Sequence, residues 1–235
     1  MLNRPAQLVS SHFDSLSANA DLDTVITFVS GILRLSTKYA IQSLRQTCIG
    51  FLKAKFPTTF ADYTTTASIR KPEHHKSDAL MRAMNLAHET SVLEILPYAY
   101  YCAARMRTER MLSHSSTDIS WRDKTICLVG RERLRIAMMS LSHSFLLAFQ
   151  PAPSCRSFGF CSIARGPHKE WHVLEASKSP NPLKEYSRWD LLNVCNECVA
   201  SAQAQHRAGR EEVWKLLPDF FELSKWEELR EIQNS

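Results

Sequence analysis

Apolar side chains recur every three to four residues along almost the whole chain, and that period suits only one kind of local structure. Ile41, Leu44, Cys48, Phe51, Leu52 and Phe56 trace one stripe on a helix of 3.6 residues per turn. Pro57 ends the stripe, because proline inside a helix removes a donor and clashes with the turn before it. Upstream, Val25, Phe28, Val29, Ile32, Leu33 and Leu35 predict a partner helix, with Asp23 as its N-cap and Thr37 to Ala40 as the connecting turn. No stretch alternates apolar and polar residues as a half-buried strand would. Six glycines in 235 residues are also too few for a chain built on tight hairpins. The expected fold class is all-α: a helical hairpin followed by an irregular helical bundle.

Proline and polar clusters divide the rest. Residues Pro57 to Lys76, rich in Thr, Ser and Asp, read as a loop. Ala79 to Glu89 is helical, with Leu80, Ala83, Met84 and Ala87 inward. Pro97 suits the first turn of a helix through Met106, where its missing N–H has no intrahelical partner. Ser113 to Asp118 is a polar loop. A broad apolar face runs from Leu134 to Phe149 and is closed by Pro151 and Pro153. The chain to Arg165 reads as irregular, and His168 to Leu174 as a short amphipathic segment. A long helix from Trp189 to Leu217 is broken by Pro218, and a final one spans Ser224 to Ile232. Four regions are expected: a poorly structured N-terminus over 1–22, a hairpin over 23–57, a bundle over 76–150, and a cysteine-containing helical region over 151–235 that packs on the bundle. No repeat is visible.

Net charge is +5 and spread along the chain. The densest basic runs, Arg105, Arg107, Arg110 and Arg131, Arg133, Arg135, read as solvated helix faces, with a phosphate-binding patch as the alternative. The chain opens without a secretion signal and has no apolar run long enough to span a bilayer, so an intracellular location, cytoplasm or nucleus, is expected. In that compartment the seven cysteines are thiols or metal ligands, not disulfides.

Four of the cysteines lie late in the chain. Cys195 and Cys198, at i and i+3 on a helix start, present both sulfurs on one face. Cys155 and Cys161 sit in a Pro- and Ser-containing loop that could form a knuckle, with a spacing looser than structural zinc sites prefer. Two readings stand: buried thiols, or the four ligands of a structural zinc. His206 follows Cys198 by eight residues, about 12 Å along a helix, too far to share an ion with it. His168 or His172 could replace a cysteine of the first pair. Cys48, Cys102 and Cys127 lie on apolar helix faces and read as core.

The segment LRLSTKYAIQSLR, Leu33 to Arg45, resembles the last helical hairpin of a BTB/POZ domain, in which a Leu-x-Leu-x-x-Lys-Tyr helix is followed by one beginning near Ile-x-x-Leu. The resemblance continues through AMNLAHE (Ala83 to Glu89), ILPYA (Ile95 to Ala99) and LVGRERL (Leu128 to Leu134), which are similar to the large BTB families of mushroom-forming fungi. Its most specific part is the tail: His206, Gly209, Arg210, Trp214, Leu217, Pro218, Phe221, Leu223, Trp226 and Leu229. It implies leucines of the first helix packed inward, Tyr39 and Ile41 closing the turn, and Leu44 and Cys48 re-entering the core. A complete BTB domain puts a mixed sheet before this hairpin, so the resemblance is to the C-terminal part of such a protein. It implies a non-catalytic protein-interaction module, adaptor-like, with a protein partner.

Catalytic signatures are missing from the sequence. There is no Gly-x-Ser-x-Gly elbow, His-Glu-x-x-His run or phosphate-cradling glycine loop. Glu211 with Glu212, and Glu227 with Glu228, are neighbours that point apart on a helix. No catalytic residue, small-molecule substrate or membrane span is expected, and the one candidate cofactor is a structural zinc. The alternatives are a zinc-stabilised module that binds nucleic acid weakly, and a degenerate paralogue with no activity of its own.

Overall fold

The computed structural model describes residues 20–69, 76–115, 118–163 and 179–234. Among them the chain forms eleven α-helices and no strand, as the periodicity predicts. The amphipathic segment His168 to Leu174 and residues 1–19 lie outside the described residues.

Helices α1 (Leu22–Lys38) and α2 (Gln42–Lys55) form the hairpin. The cap of α1 is Asp21, not Asp23: its carboxylate accepts the Thr24 N–H at 2.8 Å. Asp23 lies in the first turn and pairs with Arg82. The helix ends in a Schellman motif, with Ile41 N–H donating to the Ser36 carbonyl at 2.9 Å and Ala40 at φ 52°. Leu33 is fully buried and Leu44 half-buried, but Leu35, Tyr39 and Ile41 are 57%, 63% and 43% exposed. The turn is therefore closed by the backbone and not by those side chains. Arg45 is buried there instead, donating to the Thr90 carbonyl at 3.1 Å.

Residues Pro57 to Lys76, expected as a loop, contain α3 (Phe60–Ile69). Thr59 starts it by accepting the Asp62 N–H at 3.1 Å and donating to the Asp62 carboxylate at 2.6 Å, a variant of the capping box. Then come α4 (Ser77–Glu89), a 3-10 turn (Leu93–Ile95), α5 (Leu96–Ala104) with Pro97 in its first turn, and α6 (Thr108–Ser113). The broad apolar run is carried by three elements: α7 (Trp121–Ala137), a π-helical turn (Met138–Ser142) and α8 (Ser144–Leu147). A short α9 (Phe158–Ile163) forms in the stretch expected to be irregular. The long helix expected from Trp189 is a 3-10 turn (Trp189–Leu192) and then α10 (Asn196–Phe220), separated by Asn193 at φ 51°. Helix α11 (Trp226–Asn234) ends the fold.

Helix α1 packs on α4, α4 on α5 and α5 on α7; α10 lies across α5, α7 and the π turn, and α11 closes on the 3-10 turn before α5. One buried cluster contains residues from Leu22 through Trp226, so the hairpin and the bundle share a single core.

Two contacts fix α10. At Gly209 an added Cβ would lie 2.4 Å from the Leu141 carbonyl oxygen and 2.7 Å from Ser142 Cα, so helix backbone meets the π turn with no room for a side chain. Pro218 lies within the last turn of α10 and does not break it. Having no N–H, Pro218 leaves the carbonyl four residues back, that of Trp214, without its helical partner. The indole N–H of Trp226 takes that carbonyl at 3.0 Å, and the two indole rings stack 5.5 Å apart. The tail residues Trp214, Phe221 and Trp226 are thus core.

Gly209→Ala is expected to lower stability by about 1–3 kcal/mol through overpacking. Gly31→Ala, in open space on α1, should raise it by about 0.5–1 kcal/mol. Urea denaturation reads both. In the same assay Trp226→Phe should lose about 1–3 kcal/mol by orphaning the Trp214 carbonyl, and less in a Pro218→Ala background, where the restored N–H can satisfy it. Additive losses would refute that pairing.

Candidate metal centre

Helix α10 begins at the cysteine pair. Cys195 is its N-cap, at φ −67° and ψ 162°, and Cys198 is in its first turn. The N-terminal end of a helix carries partial positive charge and favours thiolate over thiol. The other pair is set by local turns: Cys155 N–H donates to Ala152 at 2.9 Å, and Cys161 N–H to Ser157 at 2.9 Å as α9 begins.

The fold brings all four sequence candidates together. The sulfurs of Cys155, Cys161, Cys195 and Cys198 lie within 4.8 Å of one another. Cys155 Sγ and Cys195 Sγ are 3.7 Å apart. A tetrahedron with Zn–S bonds of about 2.3 Å has edges of about 3.8 Å, so this separation fits one ion at the centre. It is far longer than the S–S bond of about 2.05 Å in a disulfide. It is also too tight to enclose a cluster of several iron and sulfide ions. Cys161 and Cys198 are wholly buried, Cys155 and Cys195 half-buried, and Phe149, Ala152 and Val194 pack around them.

Backbone donors complete the site. Ala152 N–H points at Cys198 Sγ (3.3 Å) and Cys195 N–H at Cys161 Sγ (3.4 Å). The Cys195 N–H lowers the pKa of the Cys161 thiol below its ordinary value. The Cys198 N–H favours the thiolate of Cys195, but desolvation and the neighbouring thiols outweigh it and push Cys195 up to about 12. Desolvation likewise raises Cys155. Four sulfurs this close cannot all ionise unless a cation joins them, and the donor set suits a soft or borderline ion that prefers four thiolates.

Other polar groups face inward for structural reasons. His206 lies apart from the sulfurs, its Nε2 accepting Tyr186 N–H at 3.0 Å and its Nδ1 2.6 Å from the Ser142 carbonyl oxygen. His168 and His172 lie outside the described residues. Ser142 Oγ is 2.9 Å from His143 Nδ1, but Ser142 is fully buried and meets no solvent. Cys48 and Cys127 are fully buried and Cys102 partly so; burial pushes Cys48 and Cys102 up to about 11, which leaves them poor nucleophiles.

The basic runs are mostly committed to the fold, which the charge pattern alone did not reveal. Arg131 donates to the Met106 carbonyl at 3.0 Å. Arg133 donates to the Asp219 and Phe220 carbonyls, both at 3.0 Å, capping the C-terminus of α10. Arg135 pairs with Glu132 one turn back on its own helix, and Arg110 Nε donates to Ser77 Oγ at 2.9 Å.

Comparison with protein-family models, with curated proteins and with solved structures finds no match for this chain. Fold and site together define an all-α chain with a four-cysteine cluster close enough to hold a metal ion.

Burial holds the pKa of His206 below the ordinary histidine value, so the folded state keeps it neutral while the unfolded chain takes up a proton. Stability from this group is therefore present above about pH 6.5 and lost as pH falls below it. Between about pH 7.5 and about pH 5.5, the drop in melting temperature should be smaller for His206→Gln than for the wild type. Equal drops would refute a neutral, buried His206.

Proposed function

We propose that this chain is a non-catalytic helical scaffold of BTB-protein type that binds a protein partner, and that a structural zinc held by Cys155, Cys161, Cys195 and Cys198 fastens its C-terminal half. The observation that carries the zinc reading is the packing of four sulfurs within 4.8 Å, two of them with backbone N–H donors. Bound there, zinc would supply charge balance and four bonds joining the α9 region to the start of α10, with no open position for substrate. That is a staple and not a reaction centre.

The interaction reading rests on the sequence resemblance and on the exposed Leu35, Tyr39 and Ile41 at the hairpin turn. Protein is favoured over nucleic acid as the partner because Arg131 and Arg133 donate to backbone carbonyls within the fold, and phosphate binding would need such groups free.

Elemental analysis of the purified full-length chain tests the zinc. About one zinc per chain is expected, lost in a Cys195→Ser/Cys198→Ser double variant that also melts at a lower temperature. No bound metal, with an unchanged melt in the variant, would sink the zinc. The partner reading predicts a saturable protein ligand from the source cell that is lost in Leu35→Ser/Tyr39→Ser. Retention by that variant, or no ligand at all, would count against it.

A further inference from the structure

Outside the cysteine cluster, two arginines enter a wall of aromatic rings. Tyr98 and Tyr101 of α5 and Arg105, its C-cap, fall at i, i+3 and i+7, and on α10, Arg210 and Trp214 fall at i and i+4, so each set lies along one side of its helix. Tyr63 of α3 lies between the two sets, its ring centroid 5.8 Å from Tyr98 and 5.4 Å from Trp214. The Arg105 guanidinium lies over Tyr101 at 5.2 Å, and that of Arg210 over Phe60 at 5.6 Å. The segment around Asn181 and Leu183 covers this wall. Tyr101 donates to the Asn181 amide oxygen, and both Tyr63 (3.0 Å) and Arg210 Nε (2.9 Å) donate to the Leu183 carbonyl.

Among the described residues the charges here do not balance. Arg210 is buried, and Arg105 Nε is out of solvent with no hydrogen-bond partner among the described residues. Among those residues neither guanidinium is paired with a carboxylate. The ionisable groups acting on Arg105 are Tyr101, Cys102, Tyr98 and Tyr63, each kept protonated and neutral by burial. A buried cation is ordinarily paired, because desolvation without a counter-charge is unfavourable. Guanidinium groups are the side chains best shaped to hold a planar or tetrahedral oxyanion. Phe60, Tyr98 and Arg105 each keep some exposed surface, so solvent reaches the wall at those residues.

We propose that Arg105 and Arg210, with the rings of Tyr63, Tyr98 and Tyr101, form a binding site for a small ligand bearing an oxyanion, a carboxylate or a phosphate. Arg105 is the principal ligand-binding group, and Arg210, already tied to Leu183, sets the positive potential behind it. The site is independent of the four cysteines and of the partner-binding reading.

Titration of the full-length chain with phenyl phosphate, inorganic phosphate and benzoate at constant ionic strength tests this, read by melting temperature for all three and by phosphorus NMR line width for the first two. Saturable binding of at least one probe is expected, weakened about tenfold or more in Arg105→Gln, which corresponds to about 1.4 kcal/mol. It should be unchanged in Arg207→Gln, which removes the same charge from an exposed position of α10. Equal affinity for the two phosphates assigns a bare oxyanion, a gain for phenyl phosphate assigns an ester on a ring, and benzoate binding alone assigns a carboxylate. Absence of saturable binding to the wild type overturns the proposal, as does equal weakening in both variants. Should Arg105→Gln fail to fold, Arg105→Lys keeps the charge and loses the fork; undiminished binding by that variant also overturns it.

Discussion

The contact between α10 and the π turn is the constraint on which the rest of the structure depends. At Gly209 the helix meets the backbone of Leu141 and Ser142 with no side chain between them. That approach aligns a 25-residue helix against three others at once. Its start then falls beside the loop after Pro151, where Ala152 N–H reaches Cys198 and the sulfurs converge. Three residues before Gly209, His206 ties the Ser142 carbonyl to the Tyr186 N–H, and one residue after it Arg210 holds Leu183. The helix thus organises the thiol cluster, the aromatic wall and the core in order along its length.

Much of this was legible in the sequence. The 3.6-residue period gave the class and most helices, and the spacing of Cys195 and Cys198 on a helix start put two sulfurs on one face. The rest was hidden for physical reasons. Three Schellman ends carry Ala40, Ser91 and Glu222 at positive φ where glycine is usual, so the common stop signal was not written. The start of α3 was written, as Thr59 with Asp62, but the Thr-rich composition masked it. The spacing of Cys155 and Cys161 is looser than zinc pairs prefer; the short α9 takes up the extra residues. A run of arginines has the same pattern whether it faces water or carbonyls, and only tertiary contacts separate the two.

The four sulfurs also illustrate how geometry sets proton affinity. The Cys195 N–H, with the neighbouring thiols, favours the Cys161 thiolate, but crowding makes ionisation harder at Cys195. The four sulfurs are close enough to surround one cation. The arginine pair is the mirror case: cations gathered among neutral phenols, where the missing complement is an anion.

The late position of α11 has a consequence for how the chain is made. Arg230 reaches back to Glu94 at 3.2 Å and to the Thr58 carbonyl at 3.4 Å, while Trp226 supplies the partner for the Trp214 carbonyl. Emerging from the ribosome, the hairpin and bundle are synthesised long before the segment that seals them. Until α11 is made, the nascent chain must therefore hold open the apolar surface that Trp226 and Leu229 cover in the finished fold.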